Sequence, residues 1–361
     1  MTEMRAAPED MMTVHTLPPA APRTLRSVAA LAGAGLAEPS LALEAVAERY
    51  AVAVTPALQA LIDPLDPADP IARQFVPDVR ELETAPGERA DPIGDDAHSP
   101  LPGLVHRYPD RVLLKLTTTC AVYCRFCFRR ETVGPAGAGT LSDAAVEAAL
   151  AYVTARPEIW EVIVTGGDPL VLPPRRLAAL SAAVATTQTV RILRWHTRMP
   201  VAAPERVTEE LARALCAPGL TTYLAVHANH PRELTPDARA ACARLSSAGI
   251  VLVSQSVLLR GVNDDVDTLA ALMRAFVECR VKPYYLHHGD LAPGTAHLRT
   301  TLDDGRALMA ALRGRVSGLC QPTYVLDIPD GHGKVPVGPV ALDNGMVTDR
   351  TGRRHAYPPA P

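Results

Sequence analysis

Residues 112–127 read Val112-Leu113-Leu114-Lys115-Leu116-Thr117-Thr118-Thr119-Cys120-Ala121-Val122-Tyr123-Cys124-Arg125-Phe126-Cys127. A short β-rich run, starting at Arg111, empties into a loop that carries three cysteines. Six further runs of that kind begin near Trp160, Val190, Thr221, Ile250, Val281 and Thr323, after intervals of 49, 30, 31, 29, 31 and 42 residues. Ala/Leu-rich amphipathic segments lie between them, for example over 141–155, 205–216, 235–247 and 265–279. A strand plus a helix every ~30 residues is the repeating unit of a parallel sheet. Six such units predict an α/β fold with a partial or full (β/α) barrel; a doubly wound open sheet is the competing arrangement. In a barrel, chemistry gathers at the C-terminal strand ends. The cysteine loop sits at such an end, and it is what lengthens the first interval.

The chain has 361 residues, 48% of them hydrophobic and 21% charged. That suits a globular protein with a sizeable core. The formal net charge is −3, which gives no electrostatic case for nucleic acid or an acidic membrane. No apolar run is long enough for a membrane helix, and Met1-Thr2-Glu3-Met4-Arg5 lacks a signal-peptide layout, so a cytoplasmic location is expected. Four parts are expected along the chain. Residues 1–27 are polar, proline-rich and flexible. Residues 28–110 are helical at first, then extended and wrapping. The barrel spans 111–327 and a C-terminal segment 328–361. Only three of the 36 basic residues are lysines: Lys115, Lys282 and Lys334. Arginine cannot replace lysine where an amine must lose its proton and react, so each lysine is of interest. Lys115 either points outward or marks a polar barrel interior, and Lys282 belongs at a strand mouth.

Four of seven cysteines are scattered, at 216, 242, 279 and 320. The other three form Cys120-x-x-x-Cys124-x-x-Cys127. Three thiolates in one short loop call for a soft metal, and a disulfide framework does not suit an odd number in a reducing compartment. Zinc prefers paired spacings and a fourth Cys or His nearby, and this loop has none. An iron–sulfur cluster fits better. Such clusters normally take four thiolates, so three leave one iron open, which favours catalysis over electron storage.

This spacing after the first barrel strand resembles the radical S-adenosylmethionine enzymes, whose open iron chelates that cofactor and cleaves it to a 5′-deoxyadenosyl radical. Further stretches narrow the resemblance: Arg107-Tyr108-Pro109-Asp110-Arg111, Cys124-Arg125-Phe126-Cys127-Phe128-Arg129-Arg130 and Thr165-Gly166-Gly167-Asp168-Pro169-Leu170. Later come His227-Ala228-Asn229-His230-Pro231, Gln255 to Asn263, Pro283-Tyr284-Tyr285-Leu286 and Gly331-His332-Gly333-Lys334-Val335-Pro336-Val337. From about Val54 to about Pro339 the ordered set resembles the lysine 2,3-aminomutase family. The resemblance implies a 4Fe-4S cluster on Cys120, Cys124 and Cys127, with S-adenosylmethionine. It also implies pyridoxal phosphate held as a Schiff base on Lys334. Arg107 and Arg111 match positions that contact the phosphate. Gly166, Gly167 and Asp168 match positions that bind the ammonium of S-adenosylmethionine, although a turn and helix cap is the plainer reading. His230 and Gln255 match positions near the two cofactors.

The resemblance implies migration of the α-amino group of L-lysine to its β-carbon. Asp290 and Asp327 match positions that hold the ε-ammonium, and Arg129 the position that holds the α-carboxylate. Two buried anions are costly unless a cation joins them, and a lysine side chain supplies one. A glutamate-using relative is expected to have lost that carboxylate pair. A branch that modifies a lysine destined for elongation factor P is the alternative, since Phe128 after Cys127 resembles it. A non-catalytic metal-binding barrel is a second alternative. A reductant such as flavodoxin or ferredoxin and a homo-oligomer are the other partners expected. Free-lysine relatives usually carry a tail with zinc-binding cysteines. Nothing after Cys320 is Cys here, so zinc and that mode of assembly are not carried over. His332 stands where the family loop is often glycine.

Overall fold

A computed structural model describes residues 23–135, 137–339, 342–343, 346–349 and 352–356. Nine strands form one sheet in chain order: β1 Leu104–Tyr108, β2 Arg111–Thr117, β3 Glu161–Gly166, β4 Ile192–Thr197, β5 Thr221–His227, β6 Val251–Val257, β7 Val281–His287, β8 Thr323–Ile328 and β9 Gly333–Pro336. The neighbours from β2 to β8 pair in parallel. β1 and β9 flank them as antiparallel edges. Helices Asp143–Thr154, Pro174–Ala185, Glu209–Ala214, Pro236–Ser247, Val266–Glu278 and Leu302–Arg313 supply the crossovers. The barrel reading holds and the open-sheet alternative fails.

The two edges approach each other without a ladder. Lys334 N donates to Tyr108 Oη at 2.7 Å, which draws β9 toward β1 and nearly closes the barrel. Along β2, Val112, Leu114 and Leu116 are buried against the helices, while Arg111 and Leu113 face the lumen, as the two-residue period of a strand requires. Lys115 shares the inward face, so it belongs to a polar interior. Lys282, second in β7, donates from Nζ to the carbonyls of Leu319 and Gln321 at 2.8 and 3.3 Å and ties down the approach to β8. The lumen is not filled by layers of aliphatic side chains as in an ordinary (β/α) barrel; it holds a cavity of about 680 Å³.

Two of the expected boundaries shift. The sheet runs from Leu104 to Pro336 rather than over 111–327, because the strands on either side of the repeat join it. The flexible N-terminus expected over 1–27 lies outside the described residues up to 22, and Leu25 pairs with Val54. Residues 28–62 do hold helices, Val28–Gly33 and Leu41–Arg49, each begun by a serine that accepts a backbone N–H. Leu31, Val52, Val54, Leu58, Ile71 and Phe75 form a second core that includes Val122 of the cysteine loop and Ala202 after β4. The N-terminal segment therefore braces the site. Among the described residues no helix is long and apolar enough to cross a membrane.

Glu81 is the buried anchor of this brace. It is fully buried and accepts from Arg125 Nη2 at 2.5 Å and from Arg130, both in the cysteine loop. Arg125 also donates to the Ala51 carbonyl at 2.8 Å. Removing one member of a buried ion network strands the others. Glu81→Ala is therefore expected to cost about 3–5 kcal/mol of unfolding free energy, read as a lower urea midpoint at unchanged slope.

Candidate active site

Cys120, Cys124 and Cys127 line the cavity. The turn that carries them is held by Cys127 N donating to Cys124 O at 3.2 Å and Arg125 N donating to Gln74 O at 2.8 Å. Burial pushes all three thiols up, Cys124 to about 11, and mutual repulsion adds to the rise for Cys120 and Cys124. Left alone they stay protonated and poor as ligands. A bound cationic centre reverses this, because coordination removes the thiol proton. Among the described residues no group of three or more His, Cys, Asp or Glu closes around a single metal ion. Three soft donors on one cavity wall, short of a tetrahedral set, fit a cluster with one free corner.

Gly166, Gly167 and Asp168 follow β3 and border the same wall. Gly167 N donates to Thr117 O at 2.5 Å and Asp168 N to Thr119 O at 2.9 Å. Gly166, at φ +117, lies so close to the backbone of the end of β2, and Gly167 to that of Thr118 and Thr119 in the cysteine loop, that a Cβ has no room. Their first task is to let β3 support that loop. The Asp168 carboxylate is committed too: it accepts from Thr197 Oγ1 at 2.7 Å, Arg198 N at 2.8 Å and Leu170 N at 3.0 Å. The capping reading is therefore realised.

His230 is the sequence expectation that the structure relocates. Its ring caps the turn Pro231–Glu233, with Nδ1 accepting from Arg232 N at 3.2 Å, and it is not part of the cavity wall. His227, three residues earlier at the end of β5, is. Its Nε2 lies 2.9 Å from Gln255 Oε1, its register partner on β6. Burial, followed by the Arg198 charge, lowers the His227 ring to about 3, so it is a neutral hydrogen-bonding group. Gln255 borders the cavity.

The same cavity is bordered by a cluster of charges. Lys334 on β9 pairs in register with Asp327 on β8, and its Nζ donates to Asp327 Oδ2. His287 Nδ1 is 3.8 Å from the same oxygen. Burial alone lifts a carboxylate, but His287 and Lys334 outweigh it and hold Asp327 well below the usual range. Asp290 has the opposite balance. Burial, then the Asp327 charge, push it up to about 7. Arg107 and Arg129 converge on Asp95, with Nη2 to Oδ distances of 2.9 Å each. Arg111, at the start of β2, stacks 3.8 Å from the Tyr108 ring centre and meets Asp110 at 2.7 Å. Asp290, Asp327, Lys334, Arg107, Arg111 and Arg129 all border the one cavity.

Five buried polar atoms of this wall have no hydrogen-bond partner among the described residues: Asp327 Oδ1, Arg107 Nε, Arg194 Nε, Arg198 Nη2 and His196 Nε2. Buried polar atoms are rarely left unpaired, so this cavity is built to receive polar ligands. Acceptor and donors together suit an ammonium, a phosphate and a carboxylate. Lys334 offers an amine, and Arg107 and Arg111 offer guanidinium donors for a phosphate. These residues thus fit pyridoxal phosphate as the cysteines fit the cluster. Sequence reasoning missed Asp95, His196, His227 and Arg198. Arg198, held by Glu233 at 2.7 Å, was signalled only by the Thr197-Arg198 pair at the end of β4.

Comparison with known proteins gives the family. Residues 114–273 match the Radical SAM superfamily. L-lysine 2,3-aminomutase of Clostridium subterminale is 41% identical over 288 residues, covering 80% of this chain and 69% of that protein. L-lysine 2,3-aminomutase of Escherichia coli (strain K12) is 38% identical over 75% of this chain and 79% of its own length. Glutamate 2,3-aminomutase of Clostridioides difficile (strain 630) is 36% identical over 83% and 70%. Three thiols and a lysine bordering one barrel cavity, with this similarity over most of the sequence, make the chain a member of the lysine 2,3-aminomutase family of radical SAM enzymes, and an isomerase.

Proposed function

We propose that the protein moves the α-amino group of free L-lysine to the β-carbon, giving β-lysine. The cluster, S-adenosylmethionine and pyridoxal phosphate supply hydrogen abstraction and nitrogen migration when bound, with the first electron from a flavodoxin- or ferredoxin-type reductant. The chain's own work is placement and the exclusion of water. Lys334 presents the amine that anchors the pyridoxal group. Arg107 and Arg111 hold its phosphate. Arg129 takes the substrate carboxylate through Nη1, whose present contact, Thr165 Oγ1 at 3.4 Å, is weak.

The observation that carries the reading is the carboxylate pair. Asp327 Oδ1 is buried without a hydrogen-bond partner, and Asp290 is pushed up by burial and by the Asp327 charge beside it. A substrate ammonium meets both needs, whereas the second carboxylate of glutamate adds a third anion. Phe128 favours a second reading, chemistry on a lysine bound for elongation factor P. It lines the cavity with its ring 4.5 Å from the Arg129 guanidinium. Anaerobic reconstituted enzyme with S-adenosylmethionine and reductant, offered L-lysine, L-glutamate or the lysine-bearing factor, separates the readings by product mass. Conversion of glutamate ahead of lysine removes the proposal.

The pair also sets a pH dependence. A carboxyl raised to about 7 is neutral below that pH and charged above it, while the lysine ammonium stays protonated throughout. KM for lysine should therefore fall as pH rises from 6 to 8, by about tenfold per unit at most. Asp290→Asn should flatten that limb and raise KM about 30-fold or more. Steady-state KM measured across pH 5.5–8.5 for both proteins checks this; a flat wild-type profile contradicts it.

A further inference from the structure

We propose that Asp95 is a positioning residue that aligns both substrate-binding ends of the cavity by holding Arg107 and Arg129 in place. This rests on the reading of Arg129, Asp290 and Asp327 given above. Asp95 comes from the segment before β1. It is 5% exposed and borders the cavity. Its Oδ1 accepts from Arg107 Nη2 at 2.9 Å, and its Oδ2 accepts from Arg129 Nε and Nη2 at 3.1 and 2.9 Å. One carboxylate thus fixes two guanidiniums.

The backbone under Asp95 is itself immobilised. The Asp91 carboxylate accepts from Asp95 N at 2.9 Å and Asp96 N at 2.8 Å, and Ser99 Oγ donates to Asp95 O at 2.8 Å. Gly94, at φ +70, is packed so tightly on the Gly331 backbone that no side chain fits, and Gly331 lies equally close to His98. The segment carrying Asp95 is therefore locked to the loop that leads into Lys334. A carboxylate on so rigid a support is a fixture, not a gate that substrate pushes aside.

The geometry around Arg107 shows what the fixture prevents. Its Nη1 stands 3.7 Å from Asp327 Oδ1, beyond hydrogen-bond reach. Asp327 Oδ1 has no hydrogen-bond partner among the described residues. Without Asp95, Arg107 has lost the carboxylate that holds it off Asp327, and a movement of less than about 1 Å brings Nη1 into hydrogen-bond reach of Oδ1. That contact caps the acceptor reserved for the substrate ammonium. Arg129, freed at Nε and Nη2, loses the orientation that turns Nη1 to the cavity. Both ends of lysine are then held less well.

The test is a set of variants, Asp95→Ala, Asp95→Asn and Asp95→Glu, in anaerobically reconstituted enzyme carrying its cofactors. KM for lysine should rise at least about tenfold in Asp95→Ala while kcat changes less than about threefold. Asp95→Asn, which keeps one acceptor, should fall between, and Asp95→Glu should recover part of the loss. Calorimetric binding gives a readout independent of turnover. Norleucine, which lacks the ammonium, and 1,5-diaminopentane, which lacks the carboxylate, should both bind more weakly to Asp95→Ala. Unchanged or tighter lysine binding overturns the proposal, as does a lowered melting temperature with KM unmoved. Arg129→Gln and Asp290→Asn serve as controls. If they weaken lysine binding and the Asp95 variants do not, this inference alone fails. If they too leave binding unchanged, the assignment of the substrate ends fails with it.

Discussion

Lys334→Ala is expected to abolish turnover of the proposed substrate, a loss of at least about 10³-fold, and the purified protein should no longer retain bound pyridoxal phosphate. The reason is chemical before it is structural. Anchoring an aldehyde needs an amine that can lose its proton. The chain has three lysines, and Lys282 is tied to the carbonyls before β8. Lys115 faces the lumen one residue beyond Leu114 of β2, but its charge serves Asp95. Lys334 alone reaches Asp327, at the meeting of β8 and β9. Lys334→Arg should fail as completely, because a guanidinium keeps its proton at any working pH. That second variant separates chemistry from packing: the positive charge beside Asp327 is retained, so the barrel seam stays intact and melting changes little. Product analysis by mass and chromatography, together with the visible spectrum of the purified protein, reads both. Turnover by Lys334→Ala would mean that the amine is supplied elsewhere.

The second large effect is at the cysteines. Cys124→Ala should eliminate bound iron and all turnover, again at least about 10³-fold, and Cys120→Ala and Cys127→Ala should match it. Serine in place of Cys124 does not rescue, since a hard hydroxyl is a poor ligand where a soft thiolate is required. Cys242→Ala and Cys279→Ala provide the contrast. Both sit in the helical layer, with burial raising each thiol, and each should cost roughly 1 kcal/mol of stability with iron content unchanged. Iron assay and far-ultraviolet circular dichroism distinguish a lost ligand from a lost fold. Iron retained in Cys124→Ala refutes the cluster assignment.

Much of this was legible residue by residue. Each of the seven β-rich runs became a strand from β2 to β8 within a residue or two at most starts, and the helices over 143–154, 236–247 and 266–278 lie where the amphipathic segments placed them. Those patterns are local: a strand buries alternate residues and a helix one face, so spacing alone reports them. The edge strands were not foreseen. β1 is half-polar Leu104–Tyr108 and β9 is glycine-led Gly333–Pro336, and neither carries the apolar run that marks a central strand.

The histidines show where local reading stops. His227 and His230 are three residues apart, and composition ranks neither above the other. What separates them is that β5 ends at His227, leaving its ring beside Gln255, while the chain turns before His230. Asp95 was equally hidden, one aspartate among several in a proline-rich stretch with no period to single it out.

Soft ligands at close spacing are a property of neighbouring residues, so the cysteine loop was legible from the order of amino acids, whereas Lys334 was singled out by the scarcity of lysine and the resemblance to the family. The charge pattern of the cavity is not local. Tyr108 and Lys334 are 226 positions apart, and whether Arg107 meets Asp95 or Asp327 depends on how far the barrel closes and how the N-terminal segment seats on it. Electrostatic pairing is decided by distances of an ångström or less inside a low-dielectric space, and only the folded chain sets those distances.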